Sequence, residues 1–374
     1  MSLQIDPDLS SEQQDDEYLS RRGYILRDLT SSFFSNLDEC NPTSTGKIIH
    51  YTADLLCSGG IQAWQKMCWS YAFDCIGIAN PRIFPYLQKS FRRLNTYYAK
   101  YPLDMFCTTP EIQKQSVEVV LTLQGCSRRS RIKLPTIPQI THDNADWLKS
   151  NVRSLSALPP VPVRKVWNNT QDTGQALYGA NEMTYACLEG NTERALFWMK
   201  WLIEEDRLHK KKYGTNIVQL ERGPSHLPSK QRASIGFYIC AILVEIYKNI
   251  HERGILKMNE EFQTIVDIYY GADPCINSRI KTICIILMIE IMSDVPKWKL
   301  SSSPQLVKNP DLVSRMSSNS RSFFTEILSL PNPRKPIPLS AATTVKKGKI
   351  SKNKSTKEEQ LELADKLISN FYNI

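Results

Sequence analysis

The sequence predicts an all-α fold, a helical bundle in two blocks with disordered ends. Apolar side chains recur three and four residues apart through most of the 374 residues, which is the spacing of one face of a helix. Glycine and proline stand where these apolar runs stop and start. No segment alternates with the period of two that is typical of strands between hairpin turns. We therefore expect essentially no sheet.

The first helical block covers residues 18–140 and contains four apolar runs. Gly59 ends the first run, Pro81 starts the third, and Pro110 starts the fourth. The first run, from Ile48 to Leu56, places its apolar side chains at the spacing of a single helix face. The predicted helices cover residues 48–56, 61–75, 81–94 and 111–124.

Residues 141–175 interrupt this pattern, and a second helical block follows over 176–338. Pro159, Pro160 and Pro162 predict an extended connector between the two blocks. The most apolar run of the second block is expected at its centre, at residues 279–292. The predicted helices of this block cover residues 176–190, 192–208, 230–249, 260–270, 279–292 and 317–330.

Both ends of the chain differ in composition from the two blocks. Residues 1–17 hold six acidic and no basic side chains, which predicts a solvated tail. The segment from Val345 to Lys357 holds six lysines and no acid, and we interpret residues 339–357 as a flexible tether. Residues 358–374 predict a short helix. Without the six lysines the formal net charge of +9 falls to +3, so the body is only mildly basic.

Composition places the chain among soluble globular proteins. It is 41% hydrophobic and 23% charged, and it has no run of 18 apolar residues, so we expect no membrane association. The first residues lack the basic and apolar regions of a secretory signal. The ten cysteines form no Cys-x-x-Cys pair and fall mainly in apolar runs. These observations predict thiols in a reducing compartment, either cytoplasmic or nuclear.

The sequence predicts no catalytic or cofactor site. The nearest approach to a phosphate-binding loop ends in Gly46 and Lys47, but Asn41 stands where the first glycine belongs and Ile48 where a hydroxyl should bind magnesium. The five histidines form no metal-ligating cluster, and Ser225 beside His226 lies in no nucleophile elbow. We therefore predict that the protein is not an enzyme and binds no cofactor.

Residues 73–81, Phe-Asp-Cys-Ile-Gly-Ile-Ala-Asn-Pro, resemble a signature in the C-terminal region of the RarA/MgsA recombination-factor ATPases, which are relatives of clamp-loader subunits. Residues 191–198 also resemble a helix start of that family. The resemblance implies a collar-type helical module without the ATPase domain. It also implies oligomerisation, with itself or with an ATPase subunit of the RarA or clamp-loader type. Cys75 and Asn80 depart from the acidic residues of the signature.

The signature loop has two interpretations. Gly77 allows a backbone conformation that a side chain would hinder, Asn80 can cap a helix, and Pro81 suits a first helical turn. Asp74 can cap or pair locally. These roles make the loop a packing and capping element; the alternative is a protein-contact surface.

The last ten residues resemble the peptide by which replication and repair proteins hold a sliding clamp. Ile368 precedes the aromatic pair Phe371 and Tyr372 at i, i+3 and i+4, so the three share one face of a helical turn. Asp365 stands where the clamp-binding peptide has glutamine. The resemblance implies that these three side chains enter one pocket of a clamp. The alternative is a terminal helix that docks on its own body.

Two basic clusters are candidates for nucleic-acid contact. Phosphate contact would be salt-sensitive and independent of sequence. The alternative for basic residues near helix ends is a favourable interaction with the helix dipole. The candidates are Arg128, Arg129, Arg131 and Lys133 in the body and Lys346, Lys347 and Lys349 in the tether.

Taken together, the sequence predicts a non-catalytic accessory protein of DNA replication or repair. It would be a collar-like scaffold that oligomerises and binds a sliding clamp, and a collar without its ATPase suggests a large DNA virus and a viral replication site. One alternative is a helical protein that binds DNA or RNA nonspecifically. The other is a purely structural viral or cellular scaffold.

Overall fold

The computed structural model describes residues 19–129, 134–136, 151–152, 158–252, 259–293 and 305–332. In these ranges the regular secondary structure is helical, and β-pairing is limited to two isolated bridges, Leu19 with Ile25 and Asp172 with Val218. The predicted all-α fold is confirmed.

The helices are numbered here in chain order. They are α1 (Leu26–Asp38), α2 (Pro42–Cys57), α3 (Ile61–Tyr71), α4 (Ile83–Lys100), α5 (Leu103–Thr108), α6 (Pro110–Gly125), α7 (Val161–Val166), α8 (Gly174–Leu188), α9 (Thr192–Tyr213), α10 (Ser229–Arg232), α11 (Ile235–Glu252), α12 (Asn259–Tyr270), α13 (Ser278–Ser293), α14 (Pro310–Ser318) and α15 (Arg321–Leu328).

The chain forms two compact units, and neither is a continuous block of sequence. Among the described residues, the first unit takes 19–72, 86–127 and 305–332, and the second takes 73–85 and the residues from 128 to 293. This division differs from the predicted blocks 18–140 and 176–338. The signature loop belongs to the second unit, and α14 and α15 belong to the first. Helical periodicity locates helices but does not say which helices pack together.

The first unit is built around α2. Pro42 occupies the first helical turn, the Asn41 side chain accepts from the Ser44 N–H, and the Ser44 hydroxyl accepts in turn from the Asn41 N–H. This capping box starts a helix that is buried from Ile48 to Cys57 and packs against α1, α6 and α15. The residues that superficially resembled a phosphate-binding loop are therefore the first turn of a core helix.

The C-terminal part of the first unit corrects one predicted helix. The helix predicted over residues 317–330 begins later, at Arg321, because Ser317 and Ser318 are the last residues of α14 and Asn319 and Ser320 separate α14 from α15. The Ser317 and Ser318 hydroxyls both donate to the Ser314 carbonyl, and the Asn319 N–H closes the end of α14. Serine and asparagine form such local bonds readily and favour helix ends. α14 packs against α6, and α15 packs against α2.

The second unit is organised around α13, as the apolar composition of that segment predicted. α13 packs against α8, α9, α11 and α12. α8 and α9 approach closely at Gly179, where an added Cβ would lie 2.6 Å from Leu202. A buried ion pair between Arg222 and Asp172 joins the segments that precede α8 and α11.

The connector predicted over residues 141–175 is only partly described, and the described part is not simply extended. Val161–Val166 form the short helix α7, with Pro160 as its N-cap and Pro162 in its first turn. Proline stops a helix from within but suits its start, because its missing N–H would have no partner there. α7 packs against α11.

Candidate functional site

The signature loop joins α3 to α4 through two tight helical turns. A π-turn covers Ala72–Ile76 and a 3-10 turn covers Gly77–Ala79. The 3-10 turn lies against α13. The loop thus presents its residues to the central helix of the second unit.

Gly77 satisfies a steric requirement that disfavours every other residue type. Its φ is +49°, a conformation that L-residues rarely adopt, and an added Cβ would lie 2.5 Å from the Arg129 guanidinium. The Arg129 N–H also donates to the Cys75 carbonyl at 2.9 Å. The loop and Arg129 therefore fit together at van der Waals contact.

Asn80 and Pro81 form the turn that leads into α4. Asn80 is fully buried, its carbonyl accepts from the Ile83 N–H at 3.1 Å, and the Pro81 carbonyl accepts from Phe84 at 3.2 Å. The first residue of α4 is Ile83, so both signature residues precede the helix. Their backbone contacts are those of a packing and turn-forming element.

Two ion pairs lie along one face of α13. The Asp74 carboxylate accepts two hydrogen bonds from Arg279, at 2.8 and 2.9 Å. The Arg129 guanidinium donates to both oxygens of Glu290, at 2.6 and 2.8 Å. Arg279 and Glu290 are eleven residues apart, three turns of helix, and so point to the same side.

A cavity of about 320 Å³ opens beside these ion pairs. Asp74, Arg129, Arg279 and Thr282 supply its polar walls. The Arg129 side chain is 10% exposed, and its Nε has no hydrogen-bond partner among the described residues. The apolar walls come from Phe73, Leu134, Ile283 and Ile286. Because each lining arginine is matched by a carboxylate, the charges of the cavity are largely compensated, and its ion pairs hold the loop on the helix.

Only some of the predicted site residues belong to the part of the chain that the structure describes. Asp74, Gly77 and Arg129 lie together at the signature loop, and Asn80 and Pro81 follow directly. Arg128 is half-buried. The remaining candidates lie outside the described residues: Arg131, Lys133, Lys346, Lys347, Lys349, Ile368, Phe371 and Tyr372.

Several aromatic, basic and histidine side chains of the second unit have structural settings. Trp198 and Trp201 are both 2% exposed on α9, with ring centroids 5.4 Å apart. The basic residues Lys210 to Lys212 lie in the last turn of α9, which Gly214 closes with φ +75°, a position that suits the helix dipole. His226 is exposed.

The described residues hold free cysteines and no metal-binding cluster. None of the ten cysteines forms a disulfide, and most are buried in the helices. Burial raises the pKa of the Cys187 thiol to about 12. The part of the chain that the structure describes contains no group of three or more His, Cys, Asp or Glu side chains arranged to hold a metal.

One exposed surface was missed by sequence reasoning, the outer face of α4. It carries Arg92, Arg93, Lys100 and Tyr97, and Tyr101, the residue directly after the helix, extends it; the rings of Tyr97 and Tyr101 stack. Two signals in the sequence could have found it. The 18 residues of α4 include four basic and no acidic side chains, and the two tyrosines repeat at i and i+4.

The fold and site define the class as an all-α protein with two discontinuous helical units. Among the described residues, no helix is long and apolar enough to cross a membrane. No family model, curated protein or solved structure matches the chain.

Proposed function

We propose that the protein is a non-catalytic accessory factor of DNA replication or repair that holds a sliding clamp through its last residues. The observation that carries this proposal is the order Ile368, Phe371, Tyr372 behind a segment of six lysines. An aliphatic residue followed at i+3 and i+4 by two aromatics forms one apolar face when the segment is helical. Such a face suits a single hydrophobic pocket.

Physical chemistry sets the expected strength of this contact. Buried aromatic anchors dominate small interfaces and contribute about 2 kcal/mol or more each. Asp365 has no amide to donate, so it lacks the hydrogen bonds that glutamine provides in the resembled peptide. We therefore expect micromolar affinity. The lysine-rich segment would speed association with an acidic clamp surface, and that contribution would fade with salt.

The body is proposed to serve as the scaffold, and it would assemble with itself or with an ATPase subunit of the RarA or clamp-loader type. The resemblance of residues 73–81 motivates this part. The contacts of Gly77, Asn80 and Asp74 hold the fold together, as a scaffold requires. The proposal assigns these residues no chemistry of their own.

The direct test is a binding measurement between the full chain and the sliding clamp of the source organism. The double variant Phe371→Ala, Tyr372→Ala should lose at least about a hundredfold in affinity, since each aromatic contributes about 2 kcal/mol. Asn370→Ala and Asn373→Ala change neighbouring residues of the same segment and should have little effect. Equal clamp affinity for the aromatic variant and the native chain would refute the proposal.

A second candidate function is nonspecific binding of nucleic acid. The described observation that favours it is the basic and aromatic outer face of α4, with further cations at Lys346, Lys347 and Lys349 in the tether. A titration with DNA at several salt concentrations tests it. For phosphate contacts, the logarithm of the binding constant falls linearly with the logarithm of the salt concentration. A purely structural scaffold would bind neither clamp nor DNA.

A further inference from the structure

The outer face of α4 is positioned by the burial of the opposite face. Ile83, Phe84, Leu87 and Leu94 are fully buried in the core, and Phe91 is nearly so. Because these positions occupy one side of the helix, residues on the opposite side face outward. The outward residues include three basic side chains, all exposed, at positions 92, 93 and 100.

Two tyrosines extend this face into an aromatic surface. The rings of Tyr97 and Tyr101 lie 13° from parallel with centroids 6.1 Å apart. The Arg93 guanidinium lies 6.0 Å from the Tyr97 centroid, and the Lys100 ammonium lies 5.4 Å from that of Tyr101. Both rings are only partly buried, so each keeps a surface open to a ligand. Cations and rings thus alternate along one edge of the helix.

The cations of this face are available for an external anion. Arg92, Arg93 and Lys100 form no ion pair with any residue that the structure describes. Some basic side chains elsewhere are matched, as Arg207 is by Glu204 and Lys248 by Glu245. The uncharged residues Asn95, Thr96 and Ala99 separate the cations along the helix. The face therefore carries an uncompensated positive charge.

We infer that this face of α4 binds single-stranded nucleic acid. Arg92, Arg93 and Lys100 would contact phosphates, while Tyr97 and Tyr101 would stack on unpaired bases. This inference deepens the second candidate function, nucleic-acid binding, and is independent of clamp binding. A duplex would use only the cations, because its bases are already stacked on one another. The alternation of cations and open rings is the pattern that suits a single strand.

The size of the face limits what it can hold. Arg92 to Tyr101 spans about 13 Å of helix at 1.5 Å per residue, which is room for only a few nucleotides. Three phosphate contacts to a single strand predict a slope of about −2 in the logarithm of affinity against the logarithm of salt concentration. We therefore expect weak binding that salt suppresses.

The test is fluorescence anisotropy of the full chain with labelled oligothymidylate, using three variants that each carry two substitutions. Tyr97→Leu, Tyr101→Leu should weaken binding about tenfold or more without changing the salt slope, since stacking contributes about 1–3 kcal/mol per base. Tyr97→Phe, Tyr101→Phe keeps the rings and should bind like the native chain. Arg93→Gln, Lys100→Gln should weaken binding and reduce the magnitude of the salt slope by about 1.4, since each contact to a single strand contributes about 0.7.

A charge-matched control separates this face from general basicity. Lys308→Gln, Arg315→Gln removes two exposed cations of the same unit that form no cation–π contact with a described residue, and it should leave affinity nearly unchanged. Thermal unfolding confirms that each variant is folded. Native affinity for the Tyr→Leu variant would overturn the inference. Equal affinity for a duplex would also overturn it. So would equal competition by polyglutamate, because that result would show that the face binds any acidic polymer.

The same experiment distinguishes failure of the inference from failure of nucleic-acid binding. If Lys346→Gln, Lys347→Gln, Lys349→Gln abolishes oligothymidylate binding and the α4 variants do not, the protein binds nucleic acid through its tether and the α4 assignment is wrong. If the native chain shows no binding even at low salt, both are wrong. Loss confined to the α4 variants supports the inference.

Discussion

Gly77 is the residue at which the signature loop depends most on its amino-acid type. Its φ of +49° disfavours any other residue, and a Cβ would also collide with Arg129. We predict that Gly77→Ala lowers the free energy of unfolding by about 2–4 kcal/mol, from about 1 kcal/mol for the backbone and the rest for the displaced arginine. Urea unfolding measures it.

The matched control for this prediction is Gly23→Ala. Gly23 has a similar positive φ of +81°, but nothing lies within 4 Å of an added Cβ. Its substitution should therefore cost only the backbone contribution, about 1 kcal/mol. Equal costs at the two positions would show that the contact with Arg129 is not restrictive.

His50 and Asp54 form a buried pair of titratable residues one turn apart on α2. Burial lowers the pKa of His50 from 6.5 to about 4, and burial raises the pKa of Asp54 from 3.8 to about 6. Asp54 also accepts from the Arg22 N–H at 3.2 Å. At pH 5 the folded protein thus holds a proton on Asp54, whereas the unfolded chain holds one on His50.

The signs of these two shifts are opposite, so they offset each other between pH 4 and 6. The Asp54 contribution to stability is complete below its unfolded pKa and is lost as pH rises through 6. The His50 contribution is complete above 6.5 and is lost as pH falls through 4. Each amounts to about 3 kcal/mol at 1.36 kcal/mol per pKa unit.

Removing one member should expose the pH dependence of the other. Relative to the native chain, Asp54→Asn should gain about 3 kcal/mol in free energy of unfolding as pH rises from 4 to 6. His50→Gln should lose a similar amount relative to the native chain over the same interval. Urea unfolding at several pH values measures both. Two variants that parallel the native curve would contradict the assigned pKa shifts.

At the scale of elements, the capping box of α2 explains residues that otherwise look like a damaged nucleotide site. The Asn41 side chain accepts from Ser44 at 2.8 Å, and its own N–H donates to the Ser44 hydroxyl at 3.2 Å. We predict that Asn41→Ala destabilises the protein by about 1 kcal/mol, as loss of an N-cap typically does. Asn41→Ser should retain most of the stability, and thermal unfolding compares the two. If Asn41→Ala left the melting temperature unchanged, the cap would not limit the stability of α2.

The sequence predicted most helices because their apolar spacing is regular and their ends carry strong signals. Gly59, with φ +82°, follows α2, and Asn191 caps α9 just before its first residue. The failures have local causes. Proline at a helix start resembles proline in an extended linker, so α7 was missed. A serine-rich stretch divides α14 from α15 without a glycine or proline to mark it.

At the scale of the whole molecule, periodicity could not predict the two discontinuous units. Residues 73–85 are assigned to the second unit and 305–332 to the first, and each assignment depends on packing between segments far apart in sequence. The candidate site divides in the same way. The sequence identified Gly77 as a steric requirement. Its contact with Arg129 joins residues 52 positions apart, and the ion pair of Arg129 with Glu290 joins residues 161 positions apart, so both are tertiary contacts.

Assembly is a further property of the whole molecule. On the proposed collar-like role, the body should self-associate or recover an ATPase subunit of the RarA or clamp-loader type from cells. Sedimentation over a wide range of concentrations measures the first, and affinity purification followed by mass spectrometry measures the second. A single monomer mass at all concentrations, together with no such ATPase recovered, would contradict the collar-like role.

The most direct test of the central claim is a calorimetric titration of the source organism's sliding clamp with a peptide of residues 357–374. The proposal predicts micromolar binding by the native peptide, none by the Phe371→Ala, Tyr372→Ala peptide, and tighter binding by Asp365→Gln, which restores the side-chain donor. No heat of binding at high micromolar clamp would contradict the proposal. If deleting residues 358–374 also lowered the melting temperature of the body, the segment would instead be part of the protein's own fold.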